Sequence, residues 1–126
     1  MSVSAEERDR RFQESWDRGN GFRFLYTFGD LFTSLDANLA ACDFIKRKIQ
    51  QIVKDPEKQR KLLPTELYCR RPLCDAGYYQ VFNEDFVEVV SLRETPIDTI
   101  TEKGVRTSDG IERELDVLIF ATGFGR

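Results

Sequence analysis

Pro64 marks a change of periodicity that restricts the chain to a mixed architecture. Before it, Leu35, Leu39, Cys42, Ile45, Ile49 and Ile52 recur at steps of three and four, which predicts one apolar face on a helix from about Thr33 to Val53. Thr33 and Asp36 form a capping-box-like start to it. After Pro64 the pattern is extended. Phe86–Leu92 (FVEVVSL) reads as a short strand, and Ile97–Thr101, Val105–Ser108 and Ile111–Glu114 read as a small meander joined at Lys103-Gly104 and Asp109-Gly110. Leu115–Phe120 (LDVLIF) is nearly all apolar, the pattern of a strand buried on both faces. The fold class is α/β, or α+β within this window: a helical subdomain followed by a β-rich half.

The remaining helical signals flank these. Ser4 to Arg18 is charged apart from Phe12 and Trp16, spaced i and i+4, which predicts a helix docking through that edge. Gly19-Asn20-Gly21 breaks it. Phe22 to Phe32 (FRFLYTFGDLF) then holds five aromatics in eleven positions and requires a large apolar partner surface, within the chain or outside it. Lys46, Arg47, Lys48 and Lys54 suit the C-terminal end of the long helix and read as a solvated face rather than an anion site. Asp55-Pro56 is an N-cap followed by proline at the first helical position, opening a short helix that Pro64 ends.

Composition narrows the chemistry. The 126 residues are 33% charged and 40% hydrophobic, an ordinary globular profile, with 19 basic against 22 acidic residues and a net charge of -3. That balance argues against nucleic acid as the partner. The histidine count is 0, so His-based acid/base catalysis, Ser-His and Cys-His dyads and imidazole metal sites are all excluded. No apolar run spans a membrane, and the charged N-terminal stretch lacks a signal-peptide core, which predicts a cytoplasmic protein. Cys42, Cys69 and Cys74 contain no CxxC and read as reduced thiols, with no metal site.

One motif carries chemistry. In Tyr68-Cys69-Arg70-Arg71-Pro72-Leu73-Cys74-Asp75, Pro72 disfavours the helical conformation at Arg71, so the pair should be extended. Consecutive side chains of an extended chain point to opposite sides. One guanidinium can then clamp a phosphate bidentately while the other holds a permanent positive charge beside a reactive oxyanion. Two surface charges would look the same by residue type. Asp75 offers an ion pair four residues after Arg71, and Tyr78 and Tyr79 read as anchors of a short helix. Gly19-Asn20-Gly21 is not a dinucleotide fingerprint, since Phe24 holds the third glycine position and no strand precedes it.

Lys61 to Leu92 and Ile97 to Phe124 together resemble the central part of a Baeyer–Villiger monooxygenase of the cyclohexanone and phenylacetone monooxygenase type. The upstream stretch, with its Trp16, Phe28-Gly29-Asp30 and Val53-Lys54-Asp55-Pro56-Glu57 landmarks, is similar to the helical insertion of those enzymes. The resemblance implies a helical subdomain over 1–65, the returning half of a Rossmann-like NADPH-binding domain over 66–117, and a last strand with its link toward an FAD domain over 118–126. It also implies FAD and NADP as cofactors, and a ketone and O2 as substrates, giving an ester or lactone. Arg71 matches the family's active-site arginine, which keeps the flavin's oxygen adduct anionic and contacts the nicotinamide cofactor. Arg70 matches the position that recognises the NADPH phosphate. Ala121-Thr122-Gly123 matches the ATG motif ending the NADPH domain, with Thr122 and Gly123 as cofactor neighbours; relatives continue ATGFD where this chain reads ATGFGR.

Neither glycine-rich fingerprint of the family is in the sequence, nor is its FxGxxxHxxxW signature, so the expectation is a piece of an enzyme, inert by itself. Two other readings remain open from the residues. One is a flavin monooxygenase oxidising nitrogen or sulfur, on the same two-domain plan. The other is a stand-alone interaction module binding through Phe22, Phe24, Tyr26 and Phe28.

Overall fold

The structure, a computed structural model, describes residues 3–19, 21–68 and 77–121. The chain divides into two compact units, Met1–Val89 and Val90–Arg126.

The first unit is helical. Helix α1 spans Ala5–Asp17 and starts at Ser4, whose hydroxyl accepts from the Glu7 N–H at 3.2 Å. Helix α2 is one short piece, Gly21–Leu25. It follows Gly19 at φ 65°, a left-handed conformation that glycine adopts without penalty. The long helix α3 runs Leu35–Ile52, and its N-cap is Ser34, accepting from the Ala37 N–H at 3.3 Å, so the expected Thr33 start is one residue early. Helix α4, Pro56–Leu62, has Asp55 as N-cap with the Lys58 N–H at 2.8 Å, as the Asp-Pro pair requires.

Burial on α3 corrects the expected stripe. Ala37, Asn38, Ala41, Cys42, Phe44, Ile45 and Ile49 face inward, whereas Leu35 and Leu39 are exposed. The small side chains at 37 and 41 leave room for rings from neighbouring elements, and those rings fill the core. Phe12 is wholly buried, its ring 5.0 Å from Phe24 (stacked), 5.3 Å from Phe28 (edge-on) and 5.4 Å from Phe44. Thus the aromatic run after α1 finds part of its partner surface inside the chain, while Tyr26 and Phe32 remain exposed. Phe24 is buried and Phe28 packs against the core, which removes two of the four rings an interaction module would present; Tyr26 alone of the run's described tyrosine and phenylalanine rings at 24, 26 and 28 stands in solvent.

Residues 77–89 pack in this unit too. A 3-10 turn, Gln80–Asn83, follows Tyr79, whose ring stacks on Trp16 at 6.4 Å. The last carbonyls of a helix need outside donors. Here Asn83 Nδ2 donates to Ile52 O at 2.9 Å, Gln59 Nε2 donates to Gln50 O at 3.1 Å, and the Lys54 N–H donates to Asn83 Oδ1 at 2.8 Å. Phe86–Leu92, expected as a strand, pairs with nothing in the sheet and includes a turn at its start and end.

The second unit is the meander. Strands β1 (Ile97–Ile100), β2 (Gly104–Thr107) and β3 (Glu112–Glu114) form an antiparallel sheet in that order. Thr99 faces Arg106 and Val105 faces Arg113, with a bulge between Ile97 and Thr99. Gly110 has φ 81° in the Asp109-Gly110 turn. Gly104 serves differently: a Cβ there would lie 1.9 Å from Arg113 O, so β3 approaches too closely for any side chain. Leu115–Phe120 corrects a further expectation. It forms no strand and is exposed throughout, with Ile119 82% accessible; apart from the bond from the Leu115 N–H to Lys103 O, no strand among the described residues pairs with it.

Helices followed by a small sheet give the mixed α and β content expected from the sequence. No helix among the described residues is long and apolar enough to cross a membrane.

Candidate functional site

Arg70, Arg71, Thr122 and Gly123 lie outside the described residues, as do Cys69, Pro72, Cys74 and Asp75. What the structure brings together is the chain on either side of the arginine motif, and both sides are fixed to the helical unit.

On the leading side the fixture is Asn38. This side chain is buried on α3, 6% accessible, and its amide uses every hydrogen-bonding capacity it has. Nδ2 donates to Leu31 O at 2.9 Å and to Tyr68 O at 2.8 Å, while Oδ1 accepts from the Tyr68 N–H at 2.8 Å and from the Cys42 thiol at 3.6 Å. The N–H of Tyr68 dictates the amide orientation, since only oxygen can accept there. The Tyr68 ring meets Phe24 edge-on at 5.7 Å, so ring and backbone of this residue are both held. Cys42 is a free, buried thiol; its sulfur also lies 3.8 Å from Glu66 O.

On the trailing side the contacts come from α4, the end of α3 and α1. Lys58 Nζ donates to Phe82 O at 3.0 Å and Glu84 O at 3.1 Å, and Lys61 Nζ donates to Val89 O at 3.1 Å. Tyr78 lies edge-on to both Tyr79 and Phe82 at 5.2 Å. Burial against Trp16 raises the Tyr79 hydroxyl pKa above its ordinary value, with Tyr78 adding to the effect, so this phenol stays protonated and acts as an anchor.

The basic cluster behaves as a solvated face. Arg47 pairs with Asp9 at 2.9 Å, and Arg47 and Lys48 both cover the Phe44 ring. No group of three or more metal-ligating side chains occurs among the described residues. Asn38, Asn83 and Lys58 carry the frame, and the sequence offered little sign of them. An asparagine inside the apolar stripe, three residues after Leu35 and four before Cys42, was the one available signal.

No protein-family model matches the chain. Individual relatives do. Over 125 residues, 98% of the chain, it is 55% identical to a phenazine N-monooxygenase of Lysobacter antibioticus and 54% identical to a cyclohexanone 1,2-monooxygenase of Acinetobacter. A Baeyer–Villiger monooxygenase of Pseudooceanicola batsensis is 52% identical over 124 residues. The chain spans 23% of the length of each of these relatives. Its fold superposes on a closed crystal structure of cyclohexanone monooxygenase with TM-score 0.93 and 58% identity, covering 98% of this chain and 24% of that one. The NADP+-bound cyclohexanone monooxygenase of Rhodococcus sp. Phi1 gives TM-score 0.92 and 60% identity, again with 98% and 24% covered. Over nearly all of its length the chain is therefore similar to one segment of Baeyer–Villiger monooxygenases.

Proposed function

We propose that this chain is part of an FAD- and NADPH-dependent Baeyer–Villiger monooxygenase that converts a ketone to an ester or lactone with O2. The observation that carries the reading is the 54% identity to a cyclohexanone 1,2-monooxygenase across 98% of the chain, joined to a frame that holds both flanks of Arg70-Arg71. Solved relatives with NADP+, and with FAD and NADP, support the cofactor assignment. FAD supplies the oxygen-activating chemistry when bound. Among this chain's residues, Arg71 is the catalytic one: a guanidinium that never deprotonates favours an anionic oxygen electrostatically, without a titrating base. The absence of histidine is then no obstacle. Arg70 takes the NADPH phosphate through its planar fork, and Thr122 and Gly123 border the cofactor. We place the protein in the cytoplasm, a reading that the free Cys42 thiol supports.

The decisive experiment is lactone formation by the intact protein that contains this segment, supplied with FAD, NADPH and cyclohexanone and followed by gas chromatography. Caprolactone should form, and Arg71→Ala should abolish it while flavin reduction by NADPH persists in part. Unchanged lactone output in the variant sinks the assignment. The 126-residue chain by itself should show no turnover.

A second reading has one observation in its favour, the 55% identity to a phenazine N-monooxygenase. A one-point difference in identity does not separate carbonyl from nitrogen oxidation, because both depend on delivering an activated oxygen to the substrate. Offering the intact protein a phenazine beside cyclohexanone does: N-oxide without lactone selects this reading.

A further inference from the structure

We propose that the Asp109-Gly110 turn is a site of spontaneous backbone isomerisation, and that the Thr107 hydroxyl is the group that holds the reaction back. The chemistry is intrinsic to the dipeptide. The Gly110 amide nitrogen gives up its proton and attacks Asp109 Cγ, a C–N bond forms, and a carboxyl oxygen leaves as water, closing a cyclic succinimide. Water then adds back. Opening at the side-chain carbonyl restores aspartate, whereas opening at the main-chain carbonyl leaves an isoaspartyl linkage of unchanged mass, with the backbone running through Cγ and the carboxylate on Cα. Glycine favours this because it has no Cβ to crowd the attack, and the space beside Gly110 is open: a Cβ there would meet nothing within 4 Å. No other aspartate in the sequence precedes a glycine.

The fold occupies both reacting groups. The Gly110 N–H donates to Thr107 O at 2.9 Å. Asp109 Oδ1 accepts from Thr107 Oγ1 at 2.6 Å and from the Ile111 N–H at 3.1 Å, so Cγ turns onto the Gly110 nitrogen only when these bonds break. Thr107 is the fixed end of this lock. It is 2% accessible on β2, and its hydroxyl accepts from Arg113 Nη1 at 2.9 Å. Its one proton goes to Asp109, the nearer acceptor, with Ile111 O at 3.4 Å. The bond from Thr107 first, then that from the Ile111 N–H, also lowers the Asp109 pKa, and an ionised carboxylate has no hydroxyl to lose as water. Escape requires local opening of the hairpin tip, and β3 is a strand of three residues at the edge of the sheet. An isoaspartyl linkage lengthens a turn whose length sets strand register, so it should disrupt the pairing of Val105 with Arg113 and of Arg106 with Glu112.

The test uses the intact protein that contains this segment, aged at neutral pH and mapped by digestion and mass spectrometry. Isoaspartate at 109 is read as a peptide of unchanged mass that elutes apart from its parent and resists a protease cutting before aspartate. Deamidation at Asn20-Gly21 changes the mass and is thereby told apart. Thr107→Val keeps the side-chain shape and removes the hydroxyl, and isoaspartate should then accumulate about tenfold faster, the change that one charge-assisted hydrogen bond carries. Thr107→Ser, which retains the hydroxyl, and Ser108→Ala, at the neighbouring position, should both stay near the wild-type rate. If folded Thr107→Val ages as the wild type does, or if Ser108→Ala accelerates the reaction as much, the proposal is overturned. A comparison within the wild type needs no variant to fold. Isomerisation at Asp109 should run faster in urea than in the folded protein; equal rates overturn the lock, and no isoaspartate at 109 in urea overturns the site.

Discussion

The two units reach order by different means. The helical unit closes a core of its own around Phe12, Phe24, Phe44, Ile49 and Val53, with aromatic rings meeting at 5.0 to 5.7 Å. The meander has only Val105 and Thr107 buried, and it exposes Ile97, Ile100 and Ile111 together with the apolar run Leu115–Phe120. What holds it is local chemistry. Thr107 Oγ1 donates to Asp109 Oδ1 at 2.6 Å and accepts from Arg113 at 2.9 Å, and the Ile111 N–H donates to Asp109 Oδ1 at 3.1 Å. One unit is therefore limited by packing, the other by turn geometry and strand approach. That distinction says which substitutions matter in each.

The largest expected effect follows from packing. Phe12→Ala removes a ring that touches three others, and should destabilise the helical unit by about 3 to 5 kcal/mol, read as loss of helical circular dichroism at lower urea. An equal effect from trimming exposed Ile119 would break the contrast between the units. Next comes Gly104→Ala. The added Cβ meets backbone rather than a movable side chain, so β2 and β3 must separate, at a cost of about 1 to 3 kcal/mol. Loss of amide protection at Leu115, whose N–H donates to Lys103 O at 2.9 Å, should report it. Retained protection there would show that the close approach is not required.

Much of the helical unit was legible because its signals are local. Asp55 with Pro56 and the Phe12–Trp16 spacing each act within one turn of chain, and each has the predicted role. The inward face of α3 was not, because burial is decided by what packs there. Alanines at 37 and 41 go inside since rings arrive from α1 and α2, while larger Leu35 and Leu39 remain outside. Strands fail for the same reason in stronger form. Leu115–Phe120 and Phe86–Leu92 have β-like composition, but a strand exists only with a partner, and composition does not supply one. The arginine motif could be read from residue chemistry and from Pro72. The hold of Asn38 on Tyr68 could not, since that depends on a contact thirty positions away.

Polar fixtures of the helical unit should rank below its core. Asn83→Ala leaves Ile52 O and the Lys54 N–H without their side-chain partner, and should cost about 1 to 3 kcal/mol in thermal or urea unfolding. Since Asn83 joins the 3-10 turn to the end of α3, faster amide exchange at Lys54 should accompany the loss. If stability falls with no change at Lys54, the bond does not fasten that corner.

The smallest effect lies on the surface of α1. Hydrogen bonds from Arg10, then Arg11, lower the Glu7 pKa from 4.5 to about 2. A carboxyl depressed by folding adds stability above its unfolded pKa and loses it as pH falls through the folded one, so this contribution should fade between about pH 4.5 and 2. Glu7 is only half-buried on the surface of α1 and its bonds are screened, so the change should be slight and should shrink further in concentrated salt. Glu7→Gln should remove the Glu7-dependent part of the acid response of α1 and leave the meander's unchanged, because Asp109, depressed mainly by its bond from Thr107, titrates there independently. An acid transition of α1 that is the same with and without Glu7 would show that the core, and not this surface network, sets the helix's response to pH.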